Sequence, residues 1–153
     1  FYTDLLEYAN TQTSLHESRS ATDSAFLDGR SGQTGVNLTY GITQHETSIH
    51  LWIDKGRDWA EWNDSFYQYL FSHKEEIEGS YGVAIIWSAK EANRSRTLKG
   101  TVTLGGWVDR DSWPVVIKET VTKMIQFNAA IQPHLKNAAQ AADKAVSNPS
   151  VDE

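Results

Sequence analysis

The sequence predicts an α+β domain: an N-terminal helix, then two strand-strand-helix units forming a four-stranded antiparallel sheet with two long helices on one face. Two observations carry this. Residues 36–53 and 95–104 alternate apolar and polar side chains with the period of a half-buried strand. The stretches 58–78 and 111–132 instead repeat large apolar residues every three or four positions, as an amphipathic helix does. At 153 residues, 39% hydrophobic and 22% charged, the chain can bury roughly 70% of its unfolded surface. One domain over 1–135 is expected.

The opening FYTDLLEYAN sets Phe1, Leu5 and Tyr8 at helical spacing, opposite Asp4 and Glu7. From Thr11 to Gly35 only Leu15, Phe26 and Leu27 anchor a polar run, so 11–35 reads as a long loop, either mobile or holding one short helix near Ser24–Leu27. Val36, Leu38, Tyr40 and Ile42 then alternate, followed by Ile49, Leu51 and Ile53. They make a β-hairpin turning at Gln44–Glu46 without the usual Asn-Gly signal. Asp58 and Glu61 form a capping-box pattern ahead of the stripe Trp59, Trp62, Phe66, Leu70, His73 and Ile77.

Gly79 and Gly82 close that helix, and a short strand runs from Val83 to Trp87. The fourth strand, 95–104, puts Leu98, Val102 and Leu104 on one face and Thr97, Lys99, Thr101 and Thr103 on the other. Asp111 is expected to cap the last helix. Its stripe runs through Trp113, Ile117, Val121, Met124, Phe127 or Asn128, and Ile131, and Pro133 is expected to end or kink it near Gln132. Residues 136–153 carry too little apolar surface to pack and are expected to fray.

The absence of cysteine excludes disulfides, thiolate zinc sites and cysteine nucleophiles. No apolar run is long enough to span a bilayer, so no membrane partner is expected. The pattern His45-Glu46-…-His50 is one residue too long for a helical zinc motif, so no metal or cofactor is implied. The glycines of GRSGQTG lack the Lys-Ser or Lys-Thr of a phosphate loop. No serine sits in a nucleophile elbow, and none of the eight lysines has an acidic residue two positions before it, so the D/E-x-K pair of a magnesium nuclease is missing. The chain is expected not to be an enzyme on its own.

The formal charge of −6 conceals an asymmetry. Residues 1–80 carry five basic and thirteen acidic side chains, whereas 81–153 carry nine and seven. Lys90, Arg94, Arg96, Lys99 and Arg110 cluster in sequence with Trp107 beside them, and Trp52 shares a strand face with His50. These six, Lys90, Arg94, Arg96, Lys99, Arg110 and Trp107, are the candidate nucleic-acid contacts, since phosphate binding needs grouped Lys and Arg. Arg96 shares the parity of Leu98 and Val102, so a structural ion pair with a carboxylate such as Asp54 is an equal alternative.

The segment IHLWIDKGRDWAEWNDSFYQYLFSHKEEIEGSYGVAIIW, with Ser95-Arg96 and Trp113-Pro114, resembles an uncharacterised bacterial and archaeal domain of unknown function. The likeness covers roughly 48–132, with an echo in Phe1–Tyr8. That family often forms the C-terminal half of chains whose first half looks like a restriction-endonuclease-type nuclease. The resemblance therefore implies a bacterial, cytoplasmic protein cut from a longer chain at Phe1, and an N-terminal nuclease-like domain as its partner. The function expected is non-catalytic recognition of DNA or RNA in a nuclease-like or defence-related protein. The alternative is a protein-interaction or dimerisation module that supports the nuclease-like half, with a homodimer possible.

Overall fold

The sheet has five strands, one more than expected. A computed structural model describes residues 1–102 and 104–147. Thr103, expected on an outward strand face, and 148–153 of the expected tail lie outside the described residues. The elements are α1 (Tyr2–Gln12), β1 (Phe26–Arg30), β2 (Val36–Ile42), β3 (Thr47–Ile53), α2 (Ala60–Ser72), α3 (Lys74–Tyr81), β4 (Ile86–Ser88), β5 (Arg96–Val102) and α4 (Trp113–Ser147). Strand order is β1-β2-β3-β5-β4, with every pair antiparallel.

One face of the sheet presents Leu27, Val36, Leu38, Tyr40, Ile42, Ile49, Leu51, Ile53, Leu98 and Val102, all buried. They join Trp62, Phe66 and Leu70 of α2 and Val121, Met124, Phe127 and Ile131 of α4 in one core. The strand parities and helical stripes anticipated this, because a side chain's face follows directly from its position in the repeat.

β1 lies inside the stretch expected to be a loop. It escapes notice because only Leu27 carries its inward apolar signal. Its other inward position is Gly29, and a Cβ there would clash with the ring of His16. That imidazole is fully buried and its Nε2–H donates to the Leu38 carbonyl at 2.9 Å. Tyr2 adds a second tie, its hydroxyl proton shared between the carbonyls of Ala25 (2.8 Å) and Tyr40 (3.0 Å). Two side chains thus fix a segment whose composition suggests mobility.

The hairpin turn between β2 and β3 holds without Asn-Gly because Thr43 supplies the bonds. Its N–H donates to the Glu46 carbonyl (2.8 Å), and its hydroxyl accepts the Glu46 N–H (3.1 Å). The helix expected from Asp58 begins instead behind a 3₁₀ turn, Arg57–Trp59, with no side-chain cap bond. It also breaks at His73. There the main-chain N–H turns to the Leu70 carbonyl, while the imidazole Nδ1–H takes the Tyr69 carbonyl that a continuing helix would have bonded.

The last helix departs furthest from expectation. It opens at Trp113 after a 3₁₀ turn, Arg110–Ser112, rather than on an Asp111 cap, and it runs through Pro133 to Ser147. An interior proline costs a helix about 3 kcal/mol. Burial beyond it offsets that cost: His134, Leu135, Ala138 and Ala142 are all buried, and Asp143 Oδ1 accepts the Trp62 indole N–H at 2.9 Å. Residues 136–147 are therefore a packed helix end, not a frayed tail.

Candidate functional site

The six residues expected to share one charged face fall in three places. Arg94 and Arg96 lie at the end of the sheet on the helix-covered side. Arg94 Nε sits 3.1 Å from Asp54 Oδ2, and Arg96 Nε 3.0 Å from Asp64 Oδ1 of α2. Arg96 also donates to the carbonyls of Lys90, Asn93 and Ser95, tying down the 89–95 loop. The arginine expected to pair with Asp54 thus pairs with Asp64, and Asp54 takes Arg94. Arg110 lies over the Trp113 ring, 4.8 Å from its centroid, and the Trp107 carbonyl accepts the Trp113 indole N–H. Only Lys90 and Lys99 line a common depression.

That depression lies on the face of the sheet away from the helices, and register assembles it. Alternation sends Phe26, Asp28 and Arg30 of β1 outward, with Asn37, Thr39 and Gly41 of β2. Ser48, His50 and Trp52 of β3 join them, as do Thr97, Lys99 and Thr101 of β5. Pairing then stacks them in rows, Asp28–Thr39–His50–Lys99 beside Arg30–Asn37–Trp52–Thr97. The depression, about 220 Å³, is lined by His50, Trp52, Ser88, Lys90, Asn93, Ser95, Thr97 and Lys99. A second, about 130 Å³, adjoins it across His50 and Lys99, over Gly41 and beside Phe26.

His50 is the hub. Its ring meets Phe26 edge-on at 5.8 Å and Trp52 at 6.4 Å between centroids, and Phe26 and Trp52 are 6.0 Å apart. Its Nε2 is 2.8 Å from Ser48 Oγ. Gly41 makes room for this pair, since a Cβ there would stand 2.6 Å from Ser48 Oγ and 3.2 Å from His50 Nε2. Burial, reinforced by the nearby Lys99 ammonium and opposed by Glu46, pulls the His50 pKa down to about 4. Lys99 Nζ bonds Glu46 Oε1 at 2.7 Å, and Thr39 donates to Asp28 at 2.7 Å.

Phe26, Ser48 and Gly41 were absent from the candidates read off the sequence. A glycine inside an alternating strand is the one local signal for such a close approach. His45 is exposed, and among the described residues no three His, Asp or Glu side chains are placed to hold a metal ion.

A family model described as a domain of unknown function, DUF4268, matches residues 1–135. The chain belongs to this family. No curated protein and no solved structure matches it. The DUF4268 match covers the whole sheet and both depressions but stops at Leu135, while α4 continues for twelve more described residues. Among the described residues of this DUF4268 chain, no helix is long and apolar enough to cross a membrane.

The neutral imidazole of His50 has a thermodynamic consequence. Burial likewise lowers the pKa of His16. An unfolded histidine takes up its proton near pH 6.5, so acid favours the unfolded chain once pH drops below that value. Stability is expected to be level above about pH 6.5 and to fall towards pH 4, with at most about 3 kcal/mol traceable to His50. Urea melts at pH 7, 5.5 and 4.5 check this. His50→Gln should flatten the dependence, and parallel curves for wild type and variant would refute it.

Proposed function

We propose that this DUF4268 chain is a non-catalytic nucleic-acid recognition domain whose contact surface is the open face of the sheet. The observation that carries the reading is the meeting of Phe26, His50 and Trp52 with Lys99 and Lys90 over adjoining depressions. Aromatic rings beside lysines suit stacked bases and phosphates, and each stacked base contributes about 1–3 kcal/mol. A nuclease-like unit elsewhere in a longer bacterial, cytoplasmic protein is the partner this reading expects.

Arg94 and Arg96 are held by carboxylates, so Phe26, Trp52 and Arg30 take their place beside Lys90 as contact candidates. Fluorescence anisotropy with labelled oligonucleotides at low and physiological salt tests the reading. Lys90→Ala, at an exposed side chain with no carboxylate partner among the described residues, should weaken binding severalfold and leave the melt unchanged. Absence of binding at low salt, or an unaffected Lys90→Ala, would remove it.

A protein-interaction role is favoured by a different feature. Leu104, Trp107, Val108 and Val115 are each about half exposed or more around the start of α4. Light scattering with and without Trp107→Ser would reveal self-association, and a strictly monomeric, non-associating chain counts against it.

A further inference from the structure

Resting on the recognition reading above, we infer that the open sheet face takes a single strand rather than a duplex, seating one unpaired base in the depression beside Trp52. Charge decides between the two. The face carries three cations, Arg30, Lys90 and Lys99, against two carboxylates, Asp28 and Glu46, and Lys99 is held by Glu46 at 2.7 Å. Among the described residues only Arg30 and Lys90 on this face are without a carboxylate within ion-pair distance. Duplex binders of useful affinity commonly neutralise about 6–10 phosphates, far beyond what two cations supply.

The same face is well equipped for what a duplex hides. Phe26 is 47% exposed and Trp52 half-buried, so their rings remain available while their positions are fixed by the strand pairing. His50, bonded to Ser48 and edge-on to Phe26, is a positioning residue that braces both rings. Around the depression, Ser88, Asn93, Ser95 and Thr97 offer hydroxyl and amide groups able both to donate and to accept. Such groups read the edge of an exposed base or a sugar hydroxyl without adding charge. The 89–95 rim that brings Asn93 and Lys90 there is the loop anchored by Arg96.

The test is anisotropy on the full chain with labelled twelve-residue oligo-dT and oligo-U and a twelve-base-pair duplex, each from 50 to 200 mM salt. The expected result is at least tenfold tighter binding to one or both single strands than to the duplex. The tighter of the two identifies the preferred sugar. Two phosphate contacts on a single strand should give a log–log salt slope of about −1.4. Trp52→Leu and, independently, Phe26→Ser at an exposed position should each cost roughly 5- to 150-fold with little change in the melt. Equal or tighter duplex binding, a slope steeper than about −4, or silence of both variants overturns the inference while leaving recognition itself standing. Failure of all three probes to bind at 50 mM salt overturns the recognition reading as well.

Discussion

A chain ended at Leu135, where the family match stops, is expected to melt roughly 5–15 °C below one that reaches Ser147. The removed segment contributes Ala138 and Ala142, both fully buried, and it packs Ala139 and Val146 against the core. It also carries Asp143, the acceptor for the indole N–H of Trp62. Trp62 is 2% exposed, so truncation would uncover the largest buried ring of α2 and leave its N–H to water. Lost apolar burial and one hydrogen bond together come to about 2–4 kcal/mol. Calorimetry on the two lengths measures the difference. Asp143→Ala in the longer chain, at an exposed side chain, isolates the bond without a core cavity and should cost only about 1 kcal/mol. Equal melting temperatures would mean that the helix beyond Pro133 is ornamental.

Arg96→Ala is expected to cost about 2–4 kcal/mol, and Arg94→Ala, forty residues from the same kind of carboxylate partner, about 0–1. Both are arginine–aspartate pairs at 3.0–3.1 Å, so distance does not separate them. Environment does. The Arg94 side chain is 50% exposed, whereas that of Arg96 is 11% exposed and also satisfies carbonyls of Lys90, Asn93 and Ser95. Truncating it abandons all of these acceptors together and frees the 89–95 loop. Lysine should restore little, because one ammonium cannot reproduce the guanidinium's planar fork. Urea melts give the magnitude, and amide exchange over 90–95 should accelerate selectively in Arg96→Ala. Matching losses for the two variants would refute the tether. A combined Arg94, Arg96 and Lys99 variant would therefore confound folding with binding.

The core was legible where burial leaves a period. Val36 through Ile42 and Ile49 through Ile53 alternate because each strand has one buried face, and Trp62, Phe66 and Leu70 recur because α2 lays one stripe on the sheet. Illegible features share a cause: their partner is distant in sequence. The carboxylates that hold Arg94, Arg96 and Lys99 lie 40, 32 and 53 residues away. Positive charge concentrated along a segment therefore did not survive as positive charge concentrated in space. β1 has a single large inward side chain, and the proline in α4 is outweighed by burial of the residues beyond it and by the Asp143 bond to Trp62 of α2. On the open face, Ser48, His50, Trp52 and Lys99 could be placed by parity, but Phe26 and Gly41 join them only through pairing of β1 with β2 and of β2 with β3.

The imidazole of His16 lies where a side chain at position 29 would need to be, and its remaining ring nitrogen, Nδ1, has no hydrogen-bond partner among the described residues. Neither position is free to vary alone. Anything larger than hydrogen at 29 demands a smaller group at 16, and a smaller group at 16 opens a void unless 29 grows to fill it. Across an alignment of related chains, these two columns should therefore covary as a size-compensating couple. Such a signal would reveal the first strand in homologues whose own alternation is too faint to betray it.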